Sequence, residues 1–201
     1  MLLTKEFAIA KSVLDDSQVI AFPTETVMGL GIYFDDYKAY ELLNKIKERP
    51  EDKPYTLMLG DIKDIEKYAY VTSRDKKIID AFMPGPVTLL LKSKEIVPNY
   101  VTHNTGVIGV RVPDMELVRE LIKYLNKPLL VPSANKSGKS PALTSNEVID
   151  VFGVQVKYVF SQDSLRQKPS TIIDLTGEQV KILREGPISI CDINNVLKGE
   201  F

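Results

Sequence analysis

The sequence predicts an α/β fold with an open, mixed sheet, and three observations carry the prediction. Short runs rich in β-branched and aromatic residues alternate with amphipathic windows at helical spacing, the pattern of strands interleaved with helices. The run Val107-Ile-Gly-Val-Arg-Val112 is almost continuously apolar, as a central strand covered on both faces should be. The runs 171–175 and 180–183 are joined only by Thr176-Gly-Glu-Gln179, a hairpin connection, so part of the sheet is antiparallel.

In chain order, an amphipathic window at 4–16 leads to a strand at 19–22, which Pro23 ends because proline cannot donate to a ladder. Gly29 and Gly31 then predict tight turning. A helix at 37–48 stops before Pro50, since the residue ahead of a proline is pushed out of the helical region. Strand 55–59, helix 74–83, strands 87–91 and 107–112, helix 115–125 and strand 129–131 follow. Thr144-Ser-Asn-Glu147 has the form of a capping box and opens the last expected helix, at 145–152. Strands 158–160, 171–175 and 180–183 complete the series. No repeat, low-complexity tract or long linker divides the chain, so residues 1–201 are expected to form one domain.

Composition removes several classes of function. The chain is 44% hydrophobic and 26% charged, which excludes disorder, collagen and coiled coil. Lys and Arg total 26 against 27 Asp and Glu, a net charge of -1, so the protein is not a basic nucleic-acid coat. A single cysteine, Cys191, excludes an internal disulfide, and with a single histidine, His103, it cannot build a zinc site. No protein-held metal is expected. Cys191 reads as an inert filler with nothing cationic beside it, and His103, in a polar loop, is expected in solvent. Lys5, Glu6, Lys11, Asp15 and Asp16 interrupt any signal-peptide core. The longest apolar runs are about five residues, far below the ~20 that span a bilayer, so a cytoplasmic protein without membrane contact is expected.

Two phosphate-loop motifs fail. Gly138-Lys-Ser140 is preceded by Ser133 where a P-loop needs glycine, and Gly29-Leu-Gly31 is followed by Phe34 where a dinucleotide fingerprint needs its third. What remains is a set of polar groups at the ends of apolar strands, where open α/β sheets bind ligands. Thr24, Glu25 and Thr26 follow strand 19–22; an ordinary turn capped by Thr24 competes with a binding role. Lys47 and Arg49 bracket the exit of helix 37–48. An extended exit would put both cations on one side to hold phosphate, with Lys53 close behind; offsetting the helix dipole is the alternative. Alternation in strand 107–112 puts Val107, Gly109 and Arg111 on one face, with room beside the guanidinium at Gly109. A buried Arg111 needs an anion, and a ligand is favoured over a protein carboxylate because the adjacent strands are apolar. Ser133 and Asn135 leave strand 129–131 on the same side, and Ser170 and Arg184 stand at the boundaries of the last two strands. Lys47, Arg49, Lys53, Arg111 and Arg184 lining one cleft predict a polyanionic ligand carrying magnesium, such as ATP.

Taken together, Pro23-Thr-Glu-Thr-Val-Met-Gly-Leu-Gly31, Lys47-Glu-Arg-Pro50, Pro84-Gly-Pro-Val-Thr88, Arg111-Val-Pro113, Ser133-Ala-Asn-Lys-Ser-Gly138, Ser170-Thr-Ile-Ile-Asp174 and Ile182-Leu-Arg-Glu-Gly186 resemble the YrdC-type threonylcarbamoyl-adenylate synthases. The resemblance spans nearly the whole chain, with the motifs in the family's order. It implies a twisted sheet with flanking helices around a large central cavity, in the short form without the C-terminal domain of longer synthases. It also implies conversion of L-threonine, bicarbonate and ATP to threonylcarbamoyl-AMP and pyrophosphate, with Mg2+ held mainly by the ATP phosphates. Separate transfer proteins would then use the product to form threonylcarbamoyladenosine at tRNA position 37. By motif matching, the catalytic tetrad falls on Lys47, Arg49, Ser133 and Asn135. Arg49, Lys53, Val107, Ser133, Pro141 and Arg184 would surround ATP, while Thr24, Thr26, Arg111, Val131 and Ser170 would surround threonine. Met28 replaces a usual aromatic, and Met58 falls where many relatives carry a histidine. The alternative is a paralogue without synthase activity that binds nucleotide or double-stranded RNA. Retention of all four tetrad residues favours the synthase, and the charge of -1 leaves only a weak contact with tRNA or double-stranded RNA.

Overall fold

The computed structural model describes residues 2–48, 54–165 and 168–197. In chain order the elements are α1 (Leu2–Asp15), β1 (Ile20–Phe22), β2 (Gly29–Tyr33), α2 (Tyr37–Lys47), β3 (Thr56–Met58), α3 (Ile65–Tyr68), α4 (Ser73–Phe82), β4 (Val87–Lys92), α5 (Asn99–Thr102), β5 (Val107–Arg111), α6 (Glu116–Leu125), β6 (Leu129–Val131), α7 (Ser145–Phe152), β7 (Tyr158–Val159), β8 (Thr171–Asp174), β9 (Lys181–Arg184) and α8 (Ile190–Leu197). The strands form one nine-stranded sheet in the order β7-β1-β2-β6-β3-β5-β4-β8-β9. The pairs β1–β7, β3–β5 and β4–β8 are parallel and the others antiparallel, so the sheet is mixed as expected.

Alternation along the strands divides the core in two. Ile20, Phe22, Met58, Leu129 and Val131 point to the face covered by α1 and α6, where they meet Phe7, Leu14, Val118 and Leu121. Ala21, Leu30, Ile32, Leu57, Leu130 and Val110 point to the other face, packed by α2, α4, α7 and α8. The cavity lies on the first face, lined there by Met58 and Val131.

Several expectations are corrected. Residues 29–33 form a strand and not a turn. Gly29 and Gly31 serve close approach: a Cβ on Gly31 would sit 2.5 Å from the Phe22 ring, and one on Gly29 2.8 Å from Val131 Cγ1. The capping box at Thr144 is present, but α7 is not the last helix, because α8 follows the β8–β9 hairpin. His103 is half-buried, its Nε2 3.1 Å from the Tyr40 hydroxyl, and Cys191 is exposed, so neither environment matches the sequence expectation. Among the described residues, no helix is long and apolar enough to cross a membrane.

Candidate active site

The β1–β2 connection folds back on itself through Thr24. Its Oγ1 donates to the Val27 carbonyl at 2.7 Å and accepts from the backbone N–H groups of Thr26 and Val27. The two threonine hydroxyls also lie 2.8 Å apart. Thr26 Oγ1 in turn accepts from Arg111 Nη2 at 3.0 Å. A connected polar chain therefore runs from the guanidinium through both threonines to a main-chain carbonyl.

Arg111, at the end of β5, is only 6% exposed. Its Nη2 also lies 2.8 Å from Glu25 Oε1, which accepts from the Asp114 backbone N–H as well. A protein carboxylate thus answers Arg111, contrary to the sequence preference for a ligand. The carboxylate comes from a loop, so inspecting the adjacent strands could not reveal it. Gly109, two residues earlier on the same face, forms a floor between Thr56 and Thr88, its missing Cβ 3.3 Å from Thr88 Cγ2.

Ser170 and Arg184 build the opposite side. Arg184 Nε donates to the Ser170 carbonyl and Nη2 to Ser170 Oγ, which also contacts Thr88 Oγ1 at 2.9 Å. Burial depresses the Arg184 pKa, and the positive charge of Arg111 adds to that depression. Both guanidiniums thus line the hollow.

Thr24, Thr26, Thr56, Thr88, Arg111, Ser170 and Arg184 line one cavity of about 220 Å3, together with Val27, Met28, Gly29, Pro54, Tyr55, Met58, Val131, Pro132, Ser133, Pro141, Pro169 and Ile172. Of the sequence candidates, Thr24, Thr26, Arg111, Val131, Ser133, Pro141, Ser170 and Arg184 meet there. Val107 does not: it pairs with Lys92 at the far end of β5 from Arg111. Arg49 and Lys53 lie outside the described residues. Sequence reasoning missed Thr56, Thr88, Tyr55 and Ile172. Polar Thr56 and Thr88 inside otherwise apolar strands were the available signal.

Lys47, a sequence candidate for phosphate binding, is held by main-chain carbonyls. It is 1% exposed, does not line the cavity, and its Nζ donates to the carbonyls of Ser133 and Asn135 at 2.5 and 2.7 Å. The exit of α2 is not extended, because Glu48 adopts a left-handed conformation (φ 51°, ψ 44°) and its N–H returns to Asn44 and Lys45. Ser137 N–H then donates to the Lys47 carbonyl, and Lys136 Nζ to the Ile46 carbonyl. The last turn of α2 is thereby fastened to the 133–137 loop. Within that loop Ser133 Oγ donates to Asn135 Oδ1 at 2.6 Å; a tight turn, not an extended exit, brings them together. Asn135 directs its amide to the carbonyls of Lys136 and Lys139 and does not line the cavity.

Comparison with known proteins agrees with this architecture. The Sua5/YciO/YrdC family model, described as telomere recombination, matches residues 12–186. A threonylcarbamoyl-AMP synthase of Photorhabdus laumondii is 36% identical over 86% of this chain and 93% of its own length. The Pyrococcus abyssi enzyme of the same name is 32% identical over 96% of this chain, which spans only 57% of that protein. Among solved structures, P. abyssi Sua5 complexed with L-threonine superimposes with a TM-score of 0.91 at 31% identity, over 96% of this chain and 57% of that one. Escherichia coli YciO superimposes with a TM-score of 0.87 at 28% identity, over 93% and 92%. The nine-stranded mixed sheet and a family match across most of the chain lead to one conclusion: the chain belongs to the Sua5/YciO/YrdC family.

Proposed function

We propose that this protein is a threonylcarbamoyl-AMP synthase, joining L-threonine, bicarbonate and ATP to give threonylcarbamoyl-AMP, pyrophosphate and water. The observation that carries the proposal is the pairing of Arg111 and Arg184 around a hydroxyl-lined cavity, in a chain about 35% identical over most of its length to proteins bearing that name. Arg111 binds the threonine carboxylate, and Thr26, whose Oγ1 accepts from Arg111, lines the cavity beside it. The threonine nitrogen bonds to the bicarbonate carbon with loss of water. A carbamate oxygen then attacks the α-phosphorus, and the bond to pyrophosphate breaks.

A cavity of about 220 Å3 holds an amino acid and part of the phosphate chain, so the nucleoside extends beyond it, with Pro141 and Arg184 as candidate contacts. Arg184 offsets charge on the phosphates as pyrophosphate leaves. Glu25, the carboxylate beside Arg111, is already engaged, and the cavity lining is hydroxyl and guanidinium, which suits Mg2+ arriving on ATP as part of the substrate. Arg49 and Lys53 are the further candidates for ATP contact. Positioning supplies the catalysis, with no histidine among the lining residues. The product passes to cytoplasmic proteins that modify tRNA, with only weak direct contact to tRNA by this chain.

The test is incubation with ATP, Mg2+, bicarbonate and L-threonine, following threonylcarbamoyl-AMP by mass spectrometry and pyrophosphate by a coupled assay. Product formation that requires both threonine and bicarbonate is expected. Nucleotide or double-stranded RNA binding with no turnover would replace the proposal with the non-synthase alternative.

A further inference from the structure

We propose that Glu25 is a positioning residue for substrate carboxylate recognition, acting through Arg111 by the reach of its side chain more than by its charge. The inference rests on the synthase reading above and adds a residue to it. A guanidinium has five N–H donors in a rigid plane, and a ligand can use only those that the protein leaves over. Thr26 Oγ1 accepts from Nη2 at 3.0 Å, and Glu25 Oε1 lies 2.8 Å from the same nitrogen as an ion pair. No described residue accepts from Nη1, and Arg111 lines the cavity, so the opposite edge of the guanidinium is left for the ligand.

Glu25 itself does not line the cavity. It stands behind Arg111, only 4% exposed, and Oε1 is held in place by the Asp114 N–H at 3.1 Å. That bond joins the β1–β2 loop to the turn after β5, so the plane of Arg111 is fixed from two separate chain segments. Glu25 Oε2 is buried without a hydrogen-bond partner. A carboxylate retained only to balance charge would gain by pairing both oxygens. Here one oxygen makes both contacts, and a neutral amide oxygen at the same place can also accept from Asp114 and lie beside Nη2.

Two nearly isosteric substitutions separate reach from charge. Glu25→Gln keeps the length and an accepting oxygen but loses the charge. Glu25→Asp keeps the charge but withdraws the oxygen by one methylene. L-threonine binding is measured by calorimetry, KM values for threonine and ATP by product formation, and folding by thermal melting. Glu25→Gln is expected to raise the threonine Kd and KM less than about threefold, and Glu25→Asp by about tenfold or more. KM for ATP should stay within about twofold in both variants, a split that general loosening of the fold would not produce. A better result for Asp than for Gln, equal movement of both KM values, or no movement of the threonine values would overturn the proposal. If the unsubstituted protein binds no L-threonine, the synthase reading fails and takes this inference with it. If it binds threonine and the two variants rank the other way, only the inference fails.

Discussion

Among the described residues two cations are buried, Arg111 and Lys47, and they are answered in different chemical terms. Arg111 meets a carboxylate and a hydroxyl on one nitrogen and keeps another edge toward the cavity. Lys47 meets the main-chain carbonyls of Ser133 and Asn135 and lies outside the cavity lining. A guanidinium can be held and still present donors, because its hydrogens diverge in a plane. An ammonium pointed at two carbonyls of one loop becomes a fastening between that loop and its own helix. Burial of a cation therefore does not reveal its task, whereas the identity of its partners does.

The largest expected effect breaks the Arg111 side of the comparison. Arg111→Ala removes the proposed carboxylate receptor and leaves Glu25 buried and unpaired, which costs about 3–5 kcal/mol of stability. Threonine-dependent turnover should fall by at least about a hundredfold, the worth of a strong charge-assisted contact. Adding Glu25→Ala to Arg111→Ala should recover part of the stability and none of the turnover, measured by urea unfolding and product formation. If the double variant is no more stable than the single, the buried carboxylate is not what makes the loss of Arg111 costly.

Next comes Lys47→Met, which keeps most of the side-chain volume and removes the ammonium. Hydrogen bonds from charged groups contribute about 1.5–3 kcal/mol, so stability should fall within that range, less than for Arg111→Ala. Turnover should fall because Ser133 lines the cavity, while L-threonine binding measured without ATP stays within about twofold. Undiminished stability together with lost threonine binding would return Lys47 to the role of a direct ligand contact.

The sequence made the strands, the long helices and the mixed sheet legible, since periodicity and turn chemistry agree at 87–91, 107–112, 115–125 and the 171–183 hairpin. It hid β2, because glycines at 29 and 31 resemble turn residues until the Phe22 ring is seen to occupy the space of their missing side chains. The one-turn helices α3 and α5 are too short to show a period. In the site, Thr26, Arg111, Ser170 and Arg184 were legible because they stand at strand ends. The Glu25 partner was not, since it depends on how the β1–β2 loop folds against β5. Nor was the fastening role of Lys47, which follows from a left-handed cap at Glu48, a non-glycine residue in a position that usually favours glycine.

The smallest prediction uses an exposed ion pair as the control for the two buried cations. Lys11 Nζ lies 2.5 Å from Asp15 Oδ2, with side chains 44% and 48% exposed. The hydrogen bond from Lys11 is the main cause of a depressed Asp15 pKa, with the Tyr33 hydroxyl also contributing. A carboxylate whose folded pKa is depressed stabilises the fold above its unfolded pKa and loses that contribution as pH falls through the folded value. Solvent screens the pair, so Lys11→Met should cost no more than about 0.5 kcal/mol at neutral pH and low salt. The difference should vanish when the pH is lowered through the carboxylate range, and also in high salt. Lys47→Met should keep the part of its cost carried by the two carbonyl bonds under both conditions, because main-chain carbonyls do not titrate and the ammonium is buried. Equal salt sensitivity in the two variants would mean that water enters the α2 fastening and that Lys47 is not sealed into the wall of the site.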